Sequence, residues 1–249
     1  MPAAATRPAR RDGTCPMFLA NTPHTRCSAR APAPRPACRP PRARTVCFVG
    51  DSLGRQLMIH AACAWATTHE FSVAGHEPHV HVSPAVSRAP GGLTLLFSGL
   101  LCHLPTSDGD LRAALGRCDA IILSKGAWHI NNPTFALDEP RFDEMMTRTI
   151  VQLRRVLPGV DILLKPMWAW GETNCTTRSD YNRKIPRFNR VLANIPRAFP
   201  GVEIIGHGAL YDASVMHNCL HPVGDPVHWC HANNSFLDAA VCMLSAQLG

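Results

Sequence analysis

A three-layer α/β/α sandwich around a parallel sheet of about five strands is the fold class that three observations predict. Five short, continuously apolar segments recur between residues 45 and 206. Segments with helical periodicity separate most of them. The strands lack the apolar–polar alternation of a half-exposed sheet, so both of their faces must be covered.

The elements follow in order. Residues 45–49 (TVCFV) form a β-rich apolar run that ends at Gly50, as a buried strand does. Residues 53–67 (LGRQLMIHAACAWAT) are rich in helix formers with apolar side chains at helical spacing. The stretch 70–92 is rich in Gly, Pro and His and is ambiguous, with 79–82 as a candidate strand. Residues 94–98 and 119–125 (DAIILSK) are strands, the second the stronger. A long loop is expected over 126–140, and long loops in compact domains are often functional. Over 141–157, Phe142, Met145, Met146, Ile150, Leu153 and Val156 make a helical stripe that stops at Pro158-Gly159. Residues 160–167 (VDILLKPM) and 202–206 (VEIIG) are the last two strands. Residues 179–199 read as a helix with a break or a start at Pro186. The terminal helix is expected over 233–248, capped by Asn233 or Asn234.

The 249 residues divide into a Pro/Arg-rich tail, 1–44, and one α/β domain, 45–249. The net charge of +7 belongs to the tail: nine arginines and one acid give it +8, and the body carries −1. Nine of the 22 prolines also lie there, so the tail reads as solvated and irregular. As a nucleic-acid arm it lacks both a binding motif and a stacking platform, Phe18 being its single aromatic. No nucleic-acid partner is expected. No apolar run approaches the roughly 20 residues that span a bilayer. The tail has no apolar core of a signal peptide.

Eleven cysteines are many for a chain of this length, and several are expected in disulfides of an oxidising compartment. The sequons Asn174-Cys175-Thr176 and Asn233-Asn234-Ser235 agree. The odd number leaves at least one thiol free if every disulfide is internal. A secretory setting without a signal segment is a contradiction that an incomplete N-terminus would resolve.

The segment with most chemistry is Gly50-Asp51-Ser52, between a buried strand and a helix. Sites in open α/β sheets lie at the carboxyl ends of strands. Ser52 at a helix N-terminus would have free N–H groups and the helix dipole beside it, which favour a developing oxyanion. A serine there serves equally well as an N-cap or as a nucleophile. A nucleophile needs a base and the base an orienting acid. Asp225-Pro226-Val227-His228, just before the last helix, supplies both, with Asp225 accepting the imidazole Nδ1–H and Nε2 left to face Ser52.

This combination resembles the SGNH (GDSL) hydrolase superfamily, which has Gly-Asp-Ser after its first strand and Asp-x-x-His before its last helix. Within it, Phe48 to Gln56 is similar to the FVGDSLxRN block of the trichome-birefringence-like and PC-esterase polysaccharide O-acetyltransferases. The run Asp225-Pro226-Val227-His228-Trp229-Cys230 is similar to their DCxHWC block. Cys63, the loop from Trp170 to Cys175 and Pro36-Ala37-Cys38 fall where that family has comparable features. Pro226 replaces a family cysteine, and the N-terminal region is shorter than in typical members.

The resemblance implies an SGNH-like fold and a triad of Ser52, His228 and Asp225. Ser52 would be acylated, and the acyl group, typically acetyl, would pass to a glycan hydroxyl or to water. The Ser52 N–H would serve the oxyanion, with Arg55 in support and Gly99 and Gly126 in suitable places after strands. Trp128, His129 and Trp229 are candidate substrate contacts, weighed against ordinary packing. No bound cofactor is implied, only an acyl donor as cosubstrate and a polysaccharide or glycan acceptor. The compartment would be the Golgi lumen or the exterior, with membrane attachment only through a segment these residues do not contain. The resemblance also points to bridges from Cys63 and Cys230 to tail cysteines, and Cys219 could substitute as partner of Cys175.

Two other readings stay beside the favoured transferase: a secreted carbohydrate acetylesterase, and a catalytically silent glycan-binding relative. Zinc at His217, Cys219, His221, His228, Cys230 and His231 fits no standard spacing, and no metal is expected. The histidines at 76, 79 and 81 read as surface or loop residues, and Met145-Met146 as core. Trp168, Trp170 and Trp229 could stack on sugars or pack.

Overall fold

Five parallel strands make the centre of the sheet: β2 (Thr45–Gly50), β5 (Thr94–Ser98), β6 (Ala120–Ser124), β7 (Asp161–Leu164) and β8 (Val202–Ile204). Their spatial order is β5-β2-β6-β7-β8, and every neighbouring pair is parallel. These are the five strands expected from sequence. The structure, a computed structural model, describes residues 6–8, 38–65, 68–73, 85–88, 92–99, 104–131, 134–170, 180–216 and 235–249.

Alternation along the strands sorts the core into two layers, because successive side chains point to opposite faces. Cys47, Val49, Leu96, Ile121, Leu123, Ile162 and Leu164 share one cluster. Val46, Phe48, Leu95, Phe97, Ile122 and Leu163 share the other. On the first face lie α2 (Asp108–Leu115), α4 (Glu139–Val156) and α5 (Asp180–Ala198). On the second lie α1 (Ser52–Trp65), α6 (Ala209–Met216) and α7 (Ser235–Leu248). A five-residue helix, α3 (Ala127–Asn131), interrupts the loop expected over 126–140. The three-layer sandwich follows from covering a sheet whose two faces are equally apolar.

The sheet is wider than expected. Strands β1 (Thr6–Pro8), β3 (Thr68–Val73) and β4 (Ala85–Arg88) extend it antiparallel beyond β5, in the order β1-β3-β4-β5. Residues 79–82 lie outside the described residues, as do Asn233 and Asn234; α7 begins at Ser235.

Pro186 neither breaks nor starts its helix: α5 is continuous on both sides of it. A proline deprives the carbonyl four residues earlier of its donor. That carbonyl is Asn182 O, and Tyr211 Oη donates to it at 3.2 Å. The hydroxyl thus satisfies the group that would otherwise make the proline costly. Helix α4 has a clear start, with Asp138 Oδ1 accepting the Arg141 N–H at 2.9 Å.

Two disulfides tie the described chain. Cys47–Cys118 links β2 to the segment entering β6, and Cys38–Cys242 links the residues before β2 to α7. Cys38 is therefore not the partner of Cys63 or Cys230. It packs against the α1–α7 layer, where its Cα comes to 5.1 Å from that of Cys242, a separation a disulfide spans. Cys15, Cys27, Cys175, Cys219 and Cys230 lie outside the described residues. Replacing Cys47 and Cys118 together by alanine is expected to cost about 2–4 kcal/mol, since that bridge constrains a long loop of the unfolded chain. Urea unfolding measures it; an unchanged midpoint would mean that the bridge contributes nothing.

Candidate active site

The exits of β5, β2, β6 and β7 stand side by side along one edge of the sheet. Gly50 ends β2 opposite Ser124 of β6. Its φ is +136°, and a Cβ there would lie 1.6 Å from Ser124 O. Without a side chain the backbone can turn over the end of β6, and Asp51 N donates to Ser124 O at 2.9 Å.

Asp51 then starts the helix. Its carbonyl accepts Gly54 N at 3.1 Å and Arg55 N at 3.3 Å. Its Oδ1 accepts Gly54 N at 3.2 Å and the Ser124 hydroxyl at 2.7 Å. Asp51 is thus the capping side chain, and Ser52 is the first helical residue. Of the two roles open to Ser52 from sequence, capping falls to its neighbour. Ser52 is 9% exposed. Arg55, buried one turn on, has its pKa lowered from the ordinary guanidinium range to about 10 by burial.

The neighbouring exits add more charge. Lys125 is buried directly after β6, and Lys165 directly after β7. Burial lowers Lys165 from 10.5 to about 8, while the negative charge of Asp51 pulls the other way. Its Nζ lies 3.8 Å from the centroid of the buried Trp168 ring and donates to Pro166 O at 3.3 Å. Three buried cations, Arg55, Lys125 and Lys165, and one buried carboxylate, Asp51, therefore share this edge. Such an edge favours negative charge developing beside it.

The other expected site residues can now be placed. Gly99 follows β5, whose Ser98 pairs with Val49, so it stands next to the Gly50 turn. Gly126 is buried at the exit of β6, its backbone against Met167. Trp128 is half-buried and meets Phe135 edge to face at 6.3 Å between centroids. His129 is buried, with Nδ1 3.0 Å from Phe135 O. Ser52, Arg55, Gly99, Gly126, Trp128 and His129 thus all belong to the exits of three adjacent strands. Asp225, His228 and Trp229 lie outside the described residues. Trp168 and Trp170 are both buried, so neither is a surface platform for sugars.

One described histidine–aspartate contact could be mistaken for a dyad. His60 Nε2 lies 2.6 Å from Asp238 Oδ1. His60 is two turns along α1 from Ser52, about 12 Å of helix, and the pair joins α1 to α7 inside the second core layer. It is a strut between helices. Among the described residues no group of three His, Cys, Asp or Glu side chains could hold a metal ion. The two histidine clusters weighed from sequence, 76–81 and 217–231, lie outside the described residues.

Sequence reasoning missed Ser124, Lys125 and Lys165. The signal for the lysines was present: each stands at the carboxyl end of an uninterrupted apolar strand, where a surface lysine is out of place. Ser124 carried none, because its role depends on which strand lies beside β2.

No protein-family model matches the chain, and no curated protein matches it. Similarity is found among solved structures. An acetyl xylan esterase shares 14% identity at a TM-score of 0.48, covering 81% of this chain and 98% of that one. A peptidoglycan O-acetylesterase shares 12% identity at a TM-score of 0.47, covering 98% of this chain and 97% of that one.

Proposed function

We propose that the protein is a serine-dependent acyl-ester enzyme acting on glycan hydroxyls, with Ser52 as nucleophile, His228 as base and Asp225 as the acid that orients it. The observation that carries the reading is the Asp51 cap. By taking the cap position it makes Ser52 the first residue of α1, at the positive end of the helix dipole and on the same sheet edge as the buried cations.

The chemistry runs in two halves. Ser52 Oγ attacks the carbonyl carbon of an O-acyl donor while its proton passes to His228. The tetrahedral oxyanion forms near the Ser52 N–H and the cationic edge. Its collapse expels the donor oxygen, which takes the proton from His228, and leaves acyl-Ser52. A second hydroxyl, from a sugar or from water, gives its proton to His228 and attacks the acyl carbon; collapse breaks the bond to Ser52 Oγ, which takes that proton back from His228. Transfer and hydrolysis differ only in that second hydroxyl. The favoured outcome is transfer of acetyl to a polysaccharide; hydrolysis makes the protein a carbohydrate acetylesterase.

Two disulfides suit an oxidising compartment, and none of the described helices is long and apolar enough to cross a membrane. A Golgi-luminal or secreted setting goes with this reading.

A fluorophosphonate probe is expected to label Ser52 of the wild-type protein and to leave Ser52→Ala unlabelled. Removing Ser52 or His228 is expected to reduce hydrolysis of an activated acetyl ester by about a thousandfold or more. Folded wild-type protein that takes up no probe would overturn the serine mechanism. Incubating with an acetyl donor, with and without an oligosaccharide, then separates transferase from esterase by where the acetyl group ends.

A further inference from the structure

Among the described residues, two large apolar side chains are exposed: Phe135 at 37% and Val151 at 50%. Both line one groove of about 860 Å³. Single exposed apolar residues need no explanation, but two that share a concave surface mark a binding site.

One end of the groove is formed by His129 with residues 134–137, beyond the exit of β6. The other is formed by Leu104 and Thr106, where Gln152 Nε2 near the end of α4 donates to Pro105 O at 2.6 Å. β6 flanks β2 and hence Ser52. Between its two ends the groove follows the outer face of α4. Phe135, in edge-to-face contact with Trp128, lies at its head, and Met145 and Val151 continue the apolar surface.

Charge names the occupant. Arg141, Arg148 and Arg155 line the groove at seven-residue spacing along α4. Two helical turns between successive guanidinium groups is about 10 Å, comparable to the disaccharide repeat of an extended polysaccharide. Among the groove's lining residues Glu144 is the sole acid. Arg148 pairs with Glu144 and Arg155 with Asp108, all four side chains largely exposed. Surface pairs of that kind are weak, so a ligand's carboxylates can replace them at little cost. Arginine binds carboxylate through two parallel hydrogen bonds, and an aromatic face takes the CH face of a sugar ring.

We propose that this groove binds the acceptor chain, and that the acceptor is an acidic, uronate-bearing polysaccharide: sugar rings lie on Phe135, and carboxylates pair with Arg141, Arg148 and Arg155. This deepens the glycan-directed reading of the Ser52 site and rests on it. The groove delivers one end of the chain to the strand exits beside Ser52.

Full-length Ser52→Ala protein, which cannot turn over ligand, is titrated calorimetrically with oligogalacturonate and with a neutral xylo-oligosaccharide of equal length, at low and high salt. The acidic oligomer is expected to bind, and to bind more weakly as salt rises. Adding Arg141→Ala, Arg148→Ala or Phe135→Ala should weaken it roughly tenfold each. These side chains are solvent-facing, so urea midpoints should not move and a loss of binding is not a loss of fold. Equal binding of the neutral oligomer, indifference to the three substitutions, or equally tight binding of polyglutamate would each overturn the proposal. The last would make the groove a site for acidic protein segments. Fluorophosphonate labelling of the same variants with Ser52 intact keeps the two readings apart: the groove can fail with Ser52 still labelled, and Ser52 can fail with the groove still binding.

Discussion

Gly50→Ala is expected to cost more than about 4 kcal/mol and to leave little folded protein, a loss beyond the ordinary range for a point substitution. Two effects add. At φ +136° the backbone occupies a region essentially restricted to glycine, which strains any other residue by about 1–3 kcal/mol. The added methyl would also lie 1.6 Å from Ser124 O. A clash with a side chain can be relieved by a rotamer change, but this one is with the backbone of the adjacent central strand. Relief requires separating the ends of β2 and β6. That breaks the bond from Asp51 N to Ser124 O and with it the contact between Asp51 and the Ser124 hydroxyl. Molecules that still fold would therefore carry a displaced Ser52, and probe labelling per folded molecule should fall as well. Gly159→Ala is the control: a Cβ there meets nothing within 4 Å, and the change should stay within about 0.5 kcal/mol. Urea midpoints for the two variants compare them directly. A Gly50→Ala protein with a near wild-type midpoint would mean that the turn relaxes in a way this geometry does not allow.

How far the sequence goes depends on what an element is made of. The five parallel strands were legible because each is an uninterrupted apolar run, and burial on both faces is written in that continuity. Strands β3 and β4, THEFSV and AVSR, contain no such run. β4 pairs with β5 and β3 with β4, and backbone pairing of that kind leaves little trace in side-chain type. Helix α2 was hidden for a related reason: it buries only Leu111 and Leu115, too few to show a period, although its Ser107 cap was there to read. Pro186 was misread because the group that rescues it, the Tyr211 hydroxyl, comes from a helix 25 residues further along.

The site divides in the same way. Gly50-Asp51-Ser52 is local, so strand, turn and helix start could all be read from ten residues. The Asp51–Ser124 hydrogen bond, the Cys47–Cys118 bridge and the placing of Lys125 and Lys165 on adjacent strand exits depend on β6 lying between β2 and β7. Strand order is a property of chain crossings that no single segment encodes. A cysteine inside TVCFV also reads as an ordinary core residue until its neighbour is known.

Lys165→Met is expected to stabilise the protein at neutral pH, by up to about 3 kcal/mol. Lys165 is 3% exposed, and burial lowers its pKa in the folded protein to about 8 from the ordinary 10.5. The sign follows from proton counts. Below pH 8 both the folded and the unfolded chain hold the proton, so the full cost of burying an ammonium group is present and constant. Between about 8 and 10.5 the unfolded chain still holds a proton that the folded chain has released, so stability rises with pH. Above 10.5 both are neutral and the cost is gone. Methionine has a comparable length and no charge, so the variant lacks this rise. The stability difference between variant and wild type should be largest near pH 6 and should shrink towards pH 10. Taking that difference cancels the other groups that titrate in the same range. A difference that stays constant across the range would mean that Lys165 does not titrate as a buried amine. The contact with the Trp168 ring and the charge of Asp51 offset part of the cost but leave the shift downward. At the end of a strand two positions from Ser52's own, the ammonium adds positive field to the edge where the proposed oxyanion would form, which methionine would not supply.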